Sequence, residues 1–306
     1  MAAPADPHQP FQDYAHPETL VSAPWLSARL GTKGLVVIEC DEDSVLYDIG
    51  HLPSAIRLDF NKDLTDPVTR DIIDGEAFAA LMSDKGIERD DTVVLYGDKA
   101  NWWAAYAYWV FKLFGHEDVR LLDGGRDAWM TEERDTSFMV PERLTTDYPV
   151  VERNDNALRI FVAELKDRAD DLAIVDTRAK GEYNGIVATD GLPDGEGVEN
   201  RYSTSVSAAI DPHAHATMRH GHIPGAVNLP WDAAVFPNSC FRAMADLEEL
   251  YAELDRGTET VLYSHLGAQS ALVWFILTNL IGMDNVRHYD GSWAEWGNMV
   301  RMPIER

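Results

Sequence analysis

The sequence predicts an α/β protein built from two parallel-sheet domains, each sheet covered by helices on both faces. Three observations carry that reading. Short β-branched and apolar runs alternate with helical patterns along the whole chain, the order that builds a parallel sheet buried on both sides. Three blocks of the first half return in the same order in the second: GHLPSA at 50–55 as GHIPGA at 221–226, VVLYGDK at 93–99 as TVLYSHL at 260–266, and GHEDVRLLDGGRDAW at 115–129 as GMDNVRHYDGSWAEW at 282–296. The 306 residues, 45% of them apolar, are enough for two packed cores. The expected layout is a polar, Pro-containing tail over 1–16, one domain over 17–145 and a second over 146–306, joined near PERLTTDYPVVERND at 141–155.

Taken in order, APWLSARL at 23–30 reads as a short amphipathic helix with Trp25, Leu26 and Leu30 on one face, and LVVIE at 35–39 as a strand. YDIGHLPSAIRLDF at 47–60 is a turn built on Gly50 and Pro53 that leads into another strand. GEAFAALMSDKG at 75–86 aligns Phe78, Leu81 and Met82 on one helical face, with Asp74 placed to cap it. TVVLYGDK at 92–99 is a buried strand and turn, NWWAAYAYWVFKLFG a helix too apolar for a surface, and DVRLLDGGRDAW a last strand and helix start. The second copy repeats this order with about 30 extra residues, a Gly-, Asp- and His-containing loop over about 184–219.

Composition narrows the partners. Acidic residues outnumber basic ones 52 to 26, a net charge of −26, so the field repels phosphate backbones and anionic lipid. Neither nucleic acid nor a membrane is expected as a partner. The N-terminus lacks a basic and apolar leader pattern, and no apolar run is long enough to span a bilayer, which points to a cytoplasmic protein. Cys40 and Cys240 are the two cysteines, without CxxC or zinc-finger spacing.

Chemistry concentrates in Thr260 to Leu280, TVLYSHLGAQSALVWFILTNL, a strand, a six-residue turn and a long apolar helix. Backbone N–H groups of such a loop and of the first helical turn converge on one point and make an anion cradle. The nucleophile's place at its start is held by Ser264, followed by His265, Leu266, Gly267, Ala268 and Gln269.

The two GH-[LI]-P blocks, the VDTR strand end and the closing YDGSWAEW at 289–296 resemble the tandem-domain rhodaneses, the thiosulfate sulfurtransferase family. The resemblance runs from about residue 18 to the end. It implies two rhodanese-like domains, the first non-catalytic and the second carrying the active loop, with the site in the cleft between them. It also implies a small anionic sulfur donor such as thiosulfate, no cofactor and no metal. In that family the loop opens on a cysteine that carries sulfur as a persulfide, and in bacterial members arginines follow it. Here Ser264 stands at the cysteine's place and His265 and Gln269 at those of the arginines. A serine hydroxyl is barely ionised at neutral pH, whereas a thiol is readily made a thiolate in such a loop. Each lost charge-assisted hydrogen bond removes roughly 1.5 to 3 kcal/mol of anion binding. Arg178 corresponds to the family's arginine on the rim of the site and is equally placed to pair with Asp176.

Other candidates have plainer readings. His51 and His222 belong to the repeated turns and are expected to be structural. His213, His215, His220 and His222 are the residues a zinc site would use, and no zinc is expected. Trp102, Trp103, Trp109, Trp293 and Trp296 read as core or domain interface. A phosphatase loop fails at Ser264 and at Ser270, where its spacing wants arginine, and no G-x-S-x-G elbow surrounds Ser264. Two functions therefore stand: a sulfurtransferase that is weak or inactive as written, or a non-catalytic protein that binds an anion, a ligand or a protein partner in the cleft.

Overall fold

The computed structural model describes residues 3–41, 45–186 and 217–306. Most of the 184–219 loop, including His213 and His215, lies outside the described residues.

Two parallel sheets organise the chain. Among the described residues the first has the order β1 (Leu20–Val21), β5 (Val119–Leu122), β4 (Thr92–Tyr96), β2 (Leu35–Glu39), β3 (Ile56–Arg57). The second has β7 (Val227–Asn228), β6 (Ala173–Asp176), β8 (Thr260–Tyr263), β9 (Val286–His288). The strand repeat read from the sequence is thus a repeat of register: β4 lies between β2 and β5 as β8 lies between β6 and β9. The Asp74 carboxylate caps the helix Gly75–Asp84 by accepting from Ala77 N at 2.9 Å.

Side-chain alternation divides each sheet's apolar residues between two cores. Leu20, Val36, Ile38, Val93, Leu95 and Leu121 face one way, into a core that continues through Val175, Leu262 and Val286 of the second sheet. Val21, Val37, Val94, Tyr96 and Leu122 face outward with Trp25, Leu26 and Trp129. Ile174, Val261 and Tyr263 face a third core with Trp293 and Trp296. The two domains therefore share their central core.

Two equivalent helices form the seam. Trp102–Leu113 is buried at every residue except Lys112, and Ala268–Phe275 is buried throughout. They pack on each other, Tyr108 lying edge-on to Phe275 at 4.9 Å between ring centroids and donating from its hydroxyl to Asn279 Oδ1 at 3.0 Å. A helix without a polar face needs such a partner on every side, which explains the apolar composition of both.

The expectation of a polar tail over 1–16 is corrected. From residue 3 onward this segment is packed along both domains: Phe11 and Tyr14 are buried, Ala15 N donates to Leu280 O at 2.8 Å, and Tyr14 Oη donates to Arg242 O at 2.7 Å. Asp6, itself buried, accepts from Ser22 N and Ser22 Oγ, both at 2.6 Å. Two aromatic anchors and one capped carboxylate are enough to fix a chain whose remaining residues are polar.

Candidate functional site

Ser264 follows the last residue of β8, at the carboxyl end of the second sheet, where open α/β sheets present their ligand-binding loops. Its backbone is held from below: Ser264 N donates to Ser292 Oγ at 3.1 Å, and Trp293 N donates to Ser264 O at 3.0 Å. The YDGSWAEW block of the sequence is thus the floor under the loop. The turn then closes on its own first side chain, since Gly267 N donates to Ser264 Oγ at 3.0 Å. Gly267 has φ +91°, and a Cβ there would meet Asp290 O and Tyr106 Cε2 at 3.0 Å, so the position needs glycine on two counts. Tyr106 belongs to the seam helix of the first domain, which brings the loop against the other domain.

Ser264 itself is buried. His265 and Leu266 are half-buried, Ala268 opens the helix Ala268–Phe275, and Gln269 is buried with no donor to its Oε1 among the described residues. His265 Nδ1 lies 4.0 Å from Glu182 Oε1. A carboxylate therefore stands beside the residue that follows Ser264.

Two more residues join this site: Ser270, which the sequence analysis weighed only against a phosphatase arginine, and His288, which it did not single out. Ser270 Oγ lies 3.2 Å from Ser264 Oγ, 3.0 Å from Gly267 O and 2.8 Å from His288 Nε2. His288, the last residue of β9, is fully buried, and burial pushes its pKa down to about 3, with Arg159 adding to the effect. It stays neutral. A signal for it was present: His288 stands in the second copy where the apolar Leu121 stands in the first.

Arg178 is enclosed rather than open to the loop surface, at 2% exposure. Its Nη2 donates to Asp176 Oδ2 at 2.5 Å and to Gly221 O at 2.7 Å, and its guanidinium lies 4.5 Å from the centre of the Trp293 ring. The turn histidines are also tied down. His51 Nδ1 is 2.9 Å from Tyr47 O and His222 Nδ1 is 2.9 Å from Tyr183 O, each ring stacked on that tyrosine. Among the described residues no group of three or more His, Cys, Asp or Glu is placed to hold a metal, and no helix is long and apolar enough to cross a membrane.

Neither cysteine stands at the loop. Cys40 follows β2, is buried, and has its pKa raised by that burial and by Asp41. Cys240 lies against Gly124 and Asp123 of the first domain, and burial followed by the Asp123 charge raises its pKa as well. In the loop of the first domain, Gly97, the counterpart of Ser264, has no room for a side chain: an added Cβ would lie 2.3 Å from Cys40 O.

The family model for rhodanese-like domains matches residues 22–132 and 161–299, one match over each sheet. A thiosulfate sulfurtransferase of Corynebacterium glutamicum is 56% identical, the alignment covering 100% of this chain and 96% of that protein. The chain belongs to the rhodanese-like sulfurtransferase family. A second member, the sulfur carrier protein TtuD of Thermus thermophilus, is 42% identical over 96% of this chain and 98% of its own length. The anaerobic ergothioneine biosynthesis enzyme from Chlorobium limicola shares the rhodanese fold at a TM-score of 0.76, covering 95% of this chain and 71% of its own, with 21% identity.

Proposed function

We propose that this rhodanese-like protein keeps the two-domain scaffold for sulfur transfer from a small anionic donor such as thiosulfate but transfers sulfur weakly or not at all. The observation that carries the reading is Ser264 at the position where the family's persulfide-forming cysteine is expected, in a loop that keeps its Gly267 N–H cradle. Its hydroxyl already accepts from Gly267 N, the donor that a thiolate would use. The surroundings add a second obstacle, because the loop holds no lysine or arginine and Glu182 stands beside His265. Cys40 and Cys240 offer no replacement, each being held in the thiol form by burial and a neighbouring aspartate. Arg178 we read as a structural partner of Asp176.

The test is direct. After incubation with excess thiosulfate, the intact protein should gain no adduct of about 32 Da, one sulfur atom, and thiosulfate:cyanide turnover should lie far below that of a relative with cysteine at this place. An adduct mapped to Cys40 or Cys240 overturns the reading. A second reading, a ligand-binding protein without turnover, draws support from the buried Gln269 Oε1, which has no donor in the described structure. It predicts a cleft ligand that presents an N–H or O–H to that oxygen, and Gln269→Leu would then retain ligand affinity only if the reading is wrong.

A further inference from the structure

Around Ser264 the hydrogens are fewer than the acceptors. The Ser270 hydroxyl has one hydrogen and three acceptors within reach, Ser264 Oγ at 3.2 Å, Gly267 O at 3.0 Å and His288 Nε2 at 2.8 Å. Gly267 O already accepts Ala271 N at 2.9 Å in the first helical turn and keeps one lone pair, so it competes with position 264 for the Ser270 hydrogen. A thiolate at position 264 would win it by its charge. If His288 Nε2 took the Ser270 hydrogen, position 264 would lose that donor, and the histidine would bury an Nδ1–H with no acceptor. If Nε2 carries the hydrogen, it donates to Ser270 Oγ, and Ser270 is free to donate onward. Nδ1, which has no partner among the described residues, is then an unused acceptor. A buried N–H left without an acceptor is the rarer arrangement, which selects the second tautomer.

We propose that His288 is a positioning residue that, by donating from Nε2 to Ser270, aims the Ser270 hydroxyl at the side chain at position 264. The inference rests on the reading that position 264 is the reactive place of the loop. The histidine is itself gripped by the first domain, with the Trp109 ring edge-on at 4.6 Å and Tyr106 at 6.0 Å between centroids. A line of contacts therefore reaches the loop from the seam helix Trp102–Leu113, through ring packing as far as His288 and through hydrogen bonds from His288 by way of Ser270. Protonation does not interrupt it, since burial and the nearby Arg159, itself paired with Asp290 and Asp71, keep His288 neutral.

A thiol placed at position 264 reports the donors around it. In Ser264→Cys, alkylation of residue 264 by iodoacetamide is followed against pH, with peptide mapping to separate it from Cys40 and Cys240. Adding Ser270→Ala should raise the midpoint by about one pH unit, tenfold less thiolate at a given pH below it. His288→Phe keeps an aromatic ring against Trp109 and Tyr106 but has no Nε2, and should leave about threefold less thiolate. His288→Gln, with an N–H to offer Ser270, should return the midpoint towards that of Ser264→Cys. A purely structural histidine would lower stability in both variants and leave the midpoint unmoved, which overturns the inference, as does a midpoint lowered by His288→Phe. A thiol at 264 that titrates normally but ignores His288 removes this inference alone. A thiol at 264 that is never alkylated in the folded protein removes it together with the proposed function.

Discussion

Arg126 and Arg178 make equivalent contacts in the two domains from unrelated positions in the chain. Arg126 pairs with Glu39, the last residue of β2, at 3.1 Å and donates to Gly50 O at 2.5 Å. Arg178 pairs with Asp176, the last residue of β6, at 2.5 Å and donates to Gly221 O at 2.7 Å. Tyr96 and Tyr263 donate to the same two acids and accept from Leu52 N and Ile223 N of the following turns. The repeated GH-[LI]-P sequence is thus tied to its sheet by an arginine in each copy. The first domain, which has glycine at the place of Ser264, needs such an arginine as much as the second does, which argues that Arg178 serves the fold.

Removing either arginine strands a buried carboxylate. Arg126→Met and Arg178→Met should each lower stability by about 3 to 5 kcal/mol in denaturant titrations. In an active Ser264→Cys background, Arg178→Lys should act through stability with little change in KM. A large rise in KM at unchanged stability would return Arg178 to the substrate.

The same comparison separates the two loops at Gly97 and Ser264. Gly97→Ala drives a methyl group to 2.3 Å from Cys40 O, a backbone atom that cannot yield without moving β2. A loss of about 2 to 4 kcal/mol is expected in chemical denaturation. Gly97→Cys should fail to fold or to take up sulfur. An unchanged denaturation midpoint for Gly97→Ala would show that the loop can shift to admit a side chain at this position.

These two loops also mark what the sequence could and could not disclose. The parallel sheets and the buried apolar helix were legible because strand alternation and an all-apolar helix have few other meanings, and because three blocks occurred twice; the order of the strands within each sheet was not. The place of Ser264 was legible for the same reason. His288 was harder to see, since its role depends on Ser270 reaching across from a neighbouring element, a contact without sequence periodicity. The packed segment 3–16 was misread because Phe11 and Tyr14 are two anchors in a polar stretch, too sparse to form a pattern.

Stability should depend on pH through Asp41. Its Oδ1 accepts from Asp98 N at 2.7 Å, while burial, then the Glu39 carboxylate beside it, push its pKa up to about 8. The folded chain therefore keeps a proton that the unfolded chain releases near the ordinary aspartate value. Stability contributed by this group is complete below about pH 4 and falls as pH rises towards 8. Asp41→Asn keeps the acceptor for Asp98 N, and its N–H₂ takes the place of the protonated carboxyl as donor to Glu39, whose Oε1 has no other partner among the described residues. The variant should be more stable than the parent at pH 8, with a shallower decline between pH 5 and 8. A parallel pH profile for the two proteins would sink this assignment.

The decisive question for activity is whether the missing thiol or the missing positive charge limits the loop. Ser264→Cys restores the nucleophile inside a cradle whose Gly267 N–H is already aimed at it, so a persulfide of about 32 Da should become detectable. Turnover should stay low. Thiosulfate brings two negative charges to a protein of net charge −26, with Glu182 beside the loop, and the helix N-terminus offsets only roughly 0.3 to 1 kcal/mol. Adding His265→Arg and Gln269→Arg should raise kcat/KM by at least about tenfold over Ser264→Cys alone, since each charge-assisted contact contributes more than about 1.4 kcal/mol. His265→Arg should also convert the 4.0 Å approach to Glu182 into an ion pair. If Glu182 captures that arginine, Glu182→Gln should release it and increase the gain further. A single Ser264→Cys change that already matches a cysteine-containing relative would mean the loop cations are dispensable. A folded triple variant that remains inert would mean the cleft itself has changed, and would favour the ligand-binding reading.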